Sequence, residues 1–144
     1  MTTARDILKT KGDTVWSVKP TATVLEALRV MAERDIGAVL VLDGDKLLGI
    51  LSERDYARKV VLAGRSSKDS QVKDVMTAQV VCVAPGRSID ECMALMTDRR
   101  LRHLPVVDQK HVVGVVSIGD LVKATIDDQE FTIAQLQSYI TGQI

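Results

Sequence analysis

The chain carries the same pattern twice. Laid over itself at one constant offset, Val15, Val18, Pro20, Glu26, Met31, Arg34, Val41, Asp43, Gly49, Ser52 and Asp55 fall on Val80, Val83, Pro85, Glu91, Met96, Arg99, Val106, Asp108, Gly114, Ser117 and Asp120 without a gap. A repeat of this kind constrains the architecture ahead of any single motif, because one copy of so small a unit cannot bury its apolar face alone. The expected fold is α/β (α+β): two tandem β-α-β-β-α repeats packed as a pseudo-two-fold pair, with a short N-terminal lead-in helix and a C-terminal helix. The functional question narrows to what lies between the copies.

At 144 residues and 46% apolar content the chain has the material for about one ordinary core, and each half alone would be marginal. Basic and acidic side chains balance at 19 each, so no global field favours nucleic acid or an anionic membrane, and only a local basic cluster could hold phosphate. No apolar run approaches the roughly 20 residues of a membrane span. The opening Met1 to Asp6 lacks the charged-then-apolar pattern of a secretory signal, and a cytoplasmic location is expected. Cys82 and Cys92 lack CxxC spacing, and His103 and His111 are the only imidazoles, so no metal site is expected. Both cysteines read as small buried hydrophobes, with a redox switch as the alternative.

In the first copy Val15 to Val18 reads as a short strand ended by Pro20. Thr23 with Glu26, and Ser88 with Glu91, have the spacing of a capping box and start helices at matching positions. Val24, Ala27, Leu28, Met31 and Ala32, like Ile89, Cys92, Met93 and Met96, recur at helical intervals and place an apolar stripe on a sheet. Two β-branched runs then flank a polar turn in each copy: Ala38 to Leu42 and Leu47 to Leu51, then Leu104 to Val107 and Val112 to Val116. Each hairpin runs into a second helix, Glu53 to Leu62 and Ile118 to Ile126. Lead-in helices are expected at Ala4 to Thr10 and Val72 to Thr77.

Ala63 to Ser70 is the natural linker, being the one Gly/Ser-rich polar run in the interior. The expected division is a first repeat with its lead-in helix at 1–70, a second repeat at 71–128, and a C-terminal helical extension at 129–144. Phe131, Leu136, Tyr139 and Ile140 continue an apolar pattern in that extension, which is expected to cap the pair or reach into a neighbouring chain.

Chemistry concentrates at two strand-to-helix turns, Gly49 to Asp55 and Gly114 to Asp120. A Ser at a helix start with an Asp three residues on can be no more than an N-cap with a carboxylate near the positive end of the helix dipole. The same geometry also suits a ribonucleotide: free N–H groups face an anion, the Asp can accept from a vicinal diol, and Ile50 or Val115 offers a wall for a base. Glu53, Arg54 and Arg58 charge the first turn, where the second has Ile118, Gly119 and Lys123, so the two sites should not be equivalent.

These turns, GILSERD and GVVSIGD, together with DIGAVLVLDG, RLRHLPVVD and VKDVMT, give the chain its resemblance to a tandem pair of cystathionine-beta-synthase (CBS) domains, a Bateman module. The resemblance covers nearly the whole chain. It implies binding of adenosine-containing ligands such as AMP, ADP, ATP, NAD(H) or S-adenosylmethionine in two clefts between the paired domains, with no catalytic cofactor. Carried over position by position, Asp55 and Asp120 hold the ribose hydroxyls, with Ser52 and Ser117 beside them. Ile50 and Val115 line the base pockets. The Asp55 site also takes Arg54 and borrows Val81, Leu101, Arg102 and His103, and the Asp120 site borrows Trp16, Ile36, Gly37 and Ala38.

Arg54, Arg102 and His103 can supply charge-assisted donors to phosphate, so the Asp55 site is expected to prefer phosphorylated ligands. Arg99, Arg100 and Arg102 can equally be a solvated helix end, and Trp16 can be core or an adenine stack. Gly119 departs from the family pattern, in which a polar or basic residue often meets phosphate. The resemblance further implies a nucleotide sensor of the energy-sensing type that pairs into a two-fold homodimer and signals to an unidentified regulated protein. A constitutive scaffold is the alternative. An enzyme is disfavoured, since the sequence has no GxSxG, P-loop or GxGxxG and no evident Ser, His and acid set.

Overall fold

The computed structural model describes residues 1–142. In chain order the elements are α1 (Ala4–Lys11), β1 (Ser17–Val18), α2 (Val24–Arg34), β2 (Ala38–Asp43), β3 (Lys46–Ser52), α3 (Glu53–Asp55) continuing as a π-helical turn (Tyr56–Val61), α4 (Val72–Val75), α5 (Ile89–Arg99), β4 (His103–Asp108), β5 (His111–Ser117) and α6 (Ile118–Thr141). The chain divides into two compact units. One, here the Asp55 unit, holds Thr14–Val81 and Gln109–Val113; the other, the Asp120 unit, holds Met1–Asp13, Cys82–Asp108 and the chain from Gly114 on.

In the Asp55 unit, β1 runs parallel to β2 and β2 antiparallel to β3, with Leu40 opposite Ser17 on one side and Ile50 on the other. Val24, Ala27 and Met31, three and four residues apart on α2, bury against Val39, Val41 and Leu51, and Val60, Val72 and Val75 complete the core. The Thr23 hydroxyl caps α2 by accepting from the Glu26 N–H at 3.1 Å, but Glu26 does not return to Thr23, so the expected box is half made. The polar stretch 63–70 supplies partners instead: the carbonyls of Ser70 and Ser67 accept from the first N–H groups of α2, Val24 and Leu25. The expected helix Glu53 to Leu62 widens after one turn into π geometry, with the Leu62 N–H reaching back to the Ala57 carbonyl.

The Asp120 unit repeats the plan with one strand shortened. β4 and the Gly114–Ser117 part of β5 supply its strands, and the copy of β1 is a single parallel bridge from Val83 to Val106. The cause is Pro105. In the first copy the Leu40 N–H bonds to the Trp16 carbonyl; Pro105, at the matching position, has no N–H to give. Buried Ile89, Cys92, Met96, Leu104, Val106 and Val116 mirror the α2, β2 and β3 core positions. Cys92 is buried as expected, but Cys82 is exposed: it alternates with the buried Val83, and side chains along an extended run point to opposite faces. α2 and α5 even end alike, on left-handed Asp35 and Arg100.

The lead-in helices are exchanged between the sequence repeats. α1 belongs to the unit of the second repeat, where the Ala4 and Arg5 N–H groups donate to the carbonyls of Arg87 and Pro85, and Ile89 donates to Thr2. α4 belongs to the unit of the first, where Val72 and Lys73 donate to Ala22 and Pro20. Two glycines permit these contacts. A Cβ on Gly49 would lie 2.5 Å from Met76 Sδ and 2.9 Å from the Thr77 carbonyl oxygen, and one on Gly114 would lie 2.5 Å from Leu8 Cδ2.

Beyond Ile126 the expected break before a separate C-terminal element is absent. α6 is one helix of 24 residues, since neither Gly nor Pro interrupts Leu121 to Thr141. Leu121 is its only buried residue.

Candidate functional site

Each β-hairpin ends on a serine that caps the next helix, and each cap is reciprocal. The Ser52 hydroxyl accepts from the Asp55 N–H at 3.1 Å while Asp55 Oδ2 accepts from the Ser52 N–H and hydroxyl at 3.0 Å each. At the second turn, Ser117 Oγ accepts from the Asp120 N–H at 3.2 Å and Asp120 Oδ2 from the Ser117 N–H at 2.8 Å. The capping function is therefore real at both turns.

The two carboxylates differ in what else holds them. Asp55 is buried, 9% exposed, and its Oδ1 accepts from Thr77 Oγ1 at 3.1 Å and pairs with Lys59 at 3.1 Å. Both oxygens are thus engaged. Asp120 is half-buried, and Lys11, the last residue of α1, pairs with its Oδ2 at 2.7 Å while also donating to the Val115 carbonyl at 3.0 Å. The Ser117 N–H and the ammonium fall on the same oxygen, so Oδ1 is the one a further donor can take. Asp120 and Lys11 line a groove of about 280 Å³ together with Lys123 and Asp127.

Burial of Asp120 works to raise its pKa. The Lys11 hydrogen bond, the Ser117 N–H and the ammonium charge outweigh it and hold the carboxyl below the ordinary carboxylate range. A group depressed on folding stabilises above its unfolded pKa and loses that contribution as pH falls through the folded one. Lys11→Met should therefore flatten the acid limb of the stability curve, read as urea midpoints at neutral and acid pH. An unchanged limb would remove Lys11 from the pair's energetics. The pair is partly exposed, and the effect will be small.

Lys11, Lys59 and Thr77 escaped the sequence reading. Lys59 carried a signal, its i+4 spacing from Asp55. Thr77 stood in the VKDVMT run. Lys11 carried none, because it is remote in sequence from Asp120 and reaches it only through the exchange of α1.

Of the residues assigned from the sequence, Ile50, Ser52, Arg54 and Asp55 share the β3–α3 turn, and Val115, Ser117 and Asp120 share the β5–α6 turn. Within the Asp55 unit, Ala38 is the ladder partner of Ser52 and the Gly37 carbonyl accepts from the Glu53 N–H at 3.0 Å. Ile36 and Gly37 also line a groove of about 490 Å³ with Glu53 and Tyr56, though not with Asp55. Within the Asp120 unit, the Arg102 carbonyl accepts from the Ile118 N–H at 2.8 Å. So Gly37 and Arg102, assigned to opposite sites, each hold the helix start of their own unit. Val81 and Trp16 belong to the Asp55 unit, Leu101 and His103 to the Asp120 unit. The Arg102 side chain is exposed and that of His103 half-buried. Trp16 is not core: it is half-buried, and the Arg34 guanidinium sits 4.0 Å from its ring centroid, a cation–π contact.

Paired strand-helix repeats with a serine-capped, aspartate-bearing turn in each define a class of two-repeat module. A family model for the CBS domain matches residues 4–62 and again 72–127, so the chain belongs to the CBS domain family and carries the domain as a tandem pair. It is 39% identical over 150 residues to the mitochondrial CBS domain-containing protein CBSX3 of Arabidopsis thaliana, covering 98% of this chain and 73% of that one. Among solved structures, a protein with CBS domains from Burkholderia ambifaria is 55% identical with a TM-score of 0.86, covering 89% of this chain and 96% of that one. The fold is shared also by the CBS domain pair of protein MJ0100, 24% identical with a TM-score of 0.75 over 86% of this chain and 99% of that one, solved with 5-methylthioadenosine and S-adenosyl-L-methionine. Among the described residues no helix is long and apolar enough to cross a membrane.

Proposed function

We propose that the chain is a non-catalytic regulatory module whose two capped turns bind adenosine-containing ligands, Asp55 and Asp120 each accepting from the hydroxyls of a ribose. The observation that carries the reading is the spare acceptor of Asp120. Its Oδ2 closes the helix cap with Ser117 and Lys11, which leaves Oδ1 for a ligand donor, and Asp120 lines a groove with Lys11 and Lys123 and with the carboxylates of Asp6, Asp127 and Asp128. At Asp55 the same diol must displace Thr77 or Lys59 from Oδ1, so that turn binds at a greater cost and the two sites differ in affinity. The adenosine ligands seen on MJ0100 belong to that protein and serve here to choose the probes.

The test is thermal unfolding with AMP, ADP, ATP, NAD, NADH and S-adenosylmethionine. A ligand in a hundredfold excess over its Kd stabilises by about 2.7 kcal/mol, and Asp120→Asn should remove that gain while leaving the unliganded protein close to wild type. Loss of stability without ligand, and no ligand effect in either protein, would return the turn to a cap alone. Arg102 is proposed as a phosphate contact. Arg102→Ala should weaken AMP far more than adenosine, and equal losses for both would withdraw that role.

A further inference from the structure

α6 leaves the folded unit with an apolar stripe uncovered. From Asp127 to Thr141 no residue of the helix is buried, yet Ile133, Leu136 and Ile140 are 54%, 57% and 81% exposed, continuing a line begun by Val122 and Ile126 at 45% and 48%. Steps of four and three alternate through Val122, Ile126, Gln129, Ile133, Leu136 and Ile140. That is the spacing of a heptad seam, with Phe131 and Tyr139, 64% and 72% exposed, standing outside its a and d positions.

The identities along the seam choose the occupant. Isoleucine stands at all three a positions, 126, 133 and 140, and Leu136 at a d position, the combination that favours two parallel strands. Gln129 is the polar d residue. In a parallel pair in register it meets the partner's Gln129, and an amide that both donates and accepts satisfies its own copy; a slip of one heptad would bury it against valine or leucine. The flanking e and g positions hold Lys123, Thr125, Glu130, Thr132, Gln137 and Tyr139, which in that arrangement set Thr125 beside the partner's Glu130 and bring no like charges together. We propose that α6 pairs with the same helix of a second copy as a short parallel coiled coil along Val122 to Ile140. The family resemblance implies that such chains pair, but assigns nothing to this helix. The pairing does not depend on the nucleotide reading.

Sedimentation equilibrium of the full chain over a dilution series should show a monomer–dimer equilibrium, and Ile133→Asp should weaken it by about tenfold or more. Ile133 is exposed and contributes to no core, so the variant should keep the cooperative thermal unfolding of the wild type, while its far-ultraviolet helical signal falls as the unpaired end of α6 frays. Orientation is read separately. With Cys82→Ser removing the exposed native thiol, Leu136→Cys should form an interchain disulfide in air, because a parallel pair in register places this d position against itself. A chain monomeric at all concentrations, or a dimer indifferent to Ile133→Asp, overturns the proposal; a weakened dimer that fails to cross-link overturns the parallel register.

Discussion

Gly49→Ala will destabilise the protein by about 2 kcal/mol, and Gly114→Ala by clearly less. The two glycines occupy the same place in the two repeats, and an added Cβ approaches a neighbour at 2.5 Å in both. What differs is whether that neighbour can yield. At Gly114 the obstacle is the end of the Leu8 side chain, which can turn away at the cost of some packing. At Gly49 the methyl meets Met76 and also the Thr77 carbonyl oxygen at 2.9 Å, and that carbonyl accepts from the Ile50 N–H at 3.0 Å. Relief there must move backbone, breaking the bridge between β3 and the segment after α4 and drawing the Thr77 hydroxyl from Asp55. Urea unfolding midpoints of the two variants decide the point. Equal losses, or a larger loss for Gly114→Ala, would show that the backbone at Thr77 adjusts freely.

Asp55→Ala is expected to cost about 2 to 3 kcal/mol in the absence of any ligand, against about 1 kcal/mol for Asp120→Ala. Each removes a helix cap. At Asp55 the substitution also strands the half-buried Thr77 hydroxyl, and an orphaned donor loses its desolvation free energy with nothing in return; Lys59, 44% exposed, returns to water. At Asp120 the released Lys11 is partly exposed and returns to water. Thr77→Val separates the contributions: it removes one donor to Oδ1 while the cap stays, and should cost about 1 kcal/mol. If Asp55→Ala costs no more than Asp120→Ala, the extra hydrogen bond and ion pair at Oδ1 add nothing to stability.

Much of this was legible along the chain because it is local or repeated. The stripes Val24, Ala27, Met31 and Ile89, Cys92, Met96 fixed two helices and the faces they bury, and the β-branched runs between polar turns fixed two hairpins. Ser52 and Ser117 were readable as helix N-caps from spacing alone, whereas the bonds that Asp55 and Asp120 return to them come from the structure. The misread positions are those where periodicity competes with something it does not contain. Cys82 stood in an apolar run, yet strand alternation turns it outward. Trp16, open from its sequence between core and an adenine stack, is half-buried with the Arg34 guanidinium over its ring. The half-made box at Thr23 and the π turn after Asp55 depend on where particular backbone N–H groups find partners.

By itself, then, the sequence determined the repeated unit, its helix starts and the family to which it belongs, because propensity, capping and amphipathic period act over a few residues. Only the tertiary structure decided that α1 serves the second repeat and α4 the first. That exchange follows from partners distant in the chain, the carbonyls of Pro85 and Arg87 for one helix and of Pro20 and Ala22 for the other. It brings the Lys11 ammonium to Asp120 and the Thr77 hydroxyl to Asp55, so two turns spelled almost alike hold their carboxylates in different states of saturation.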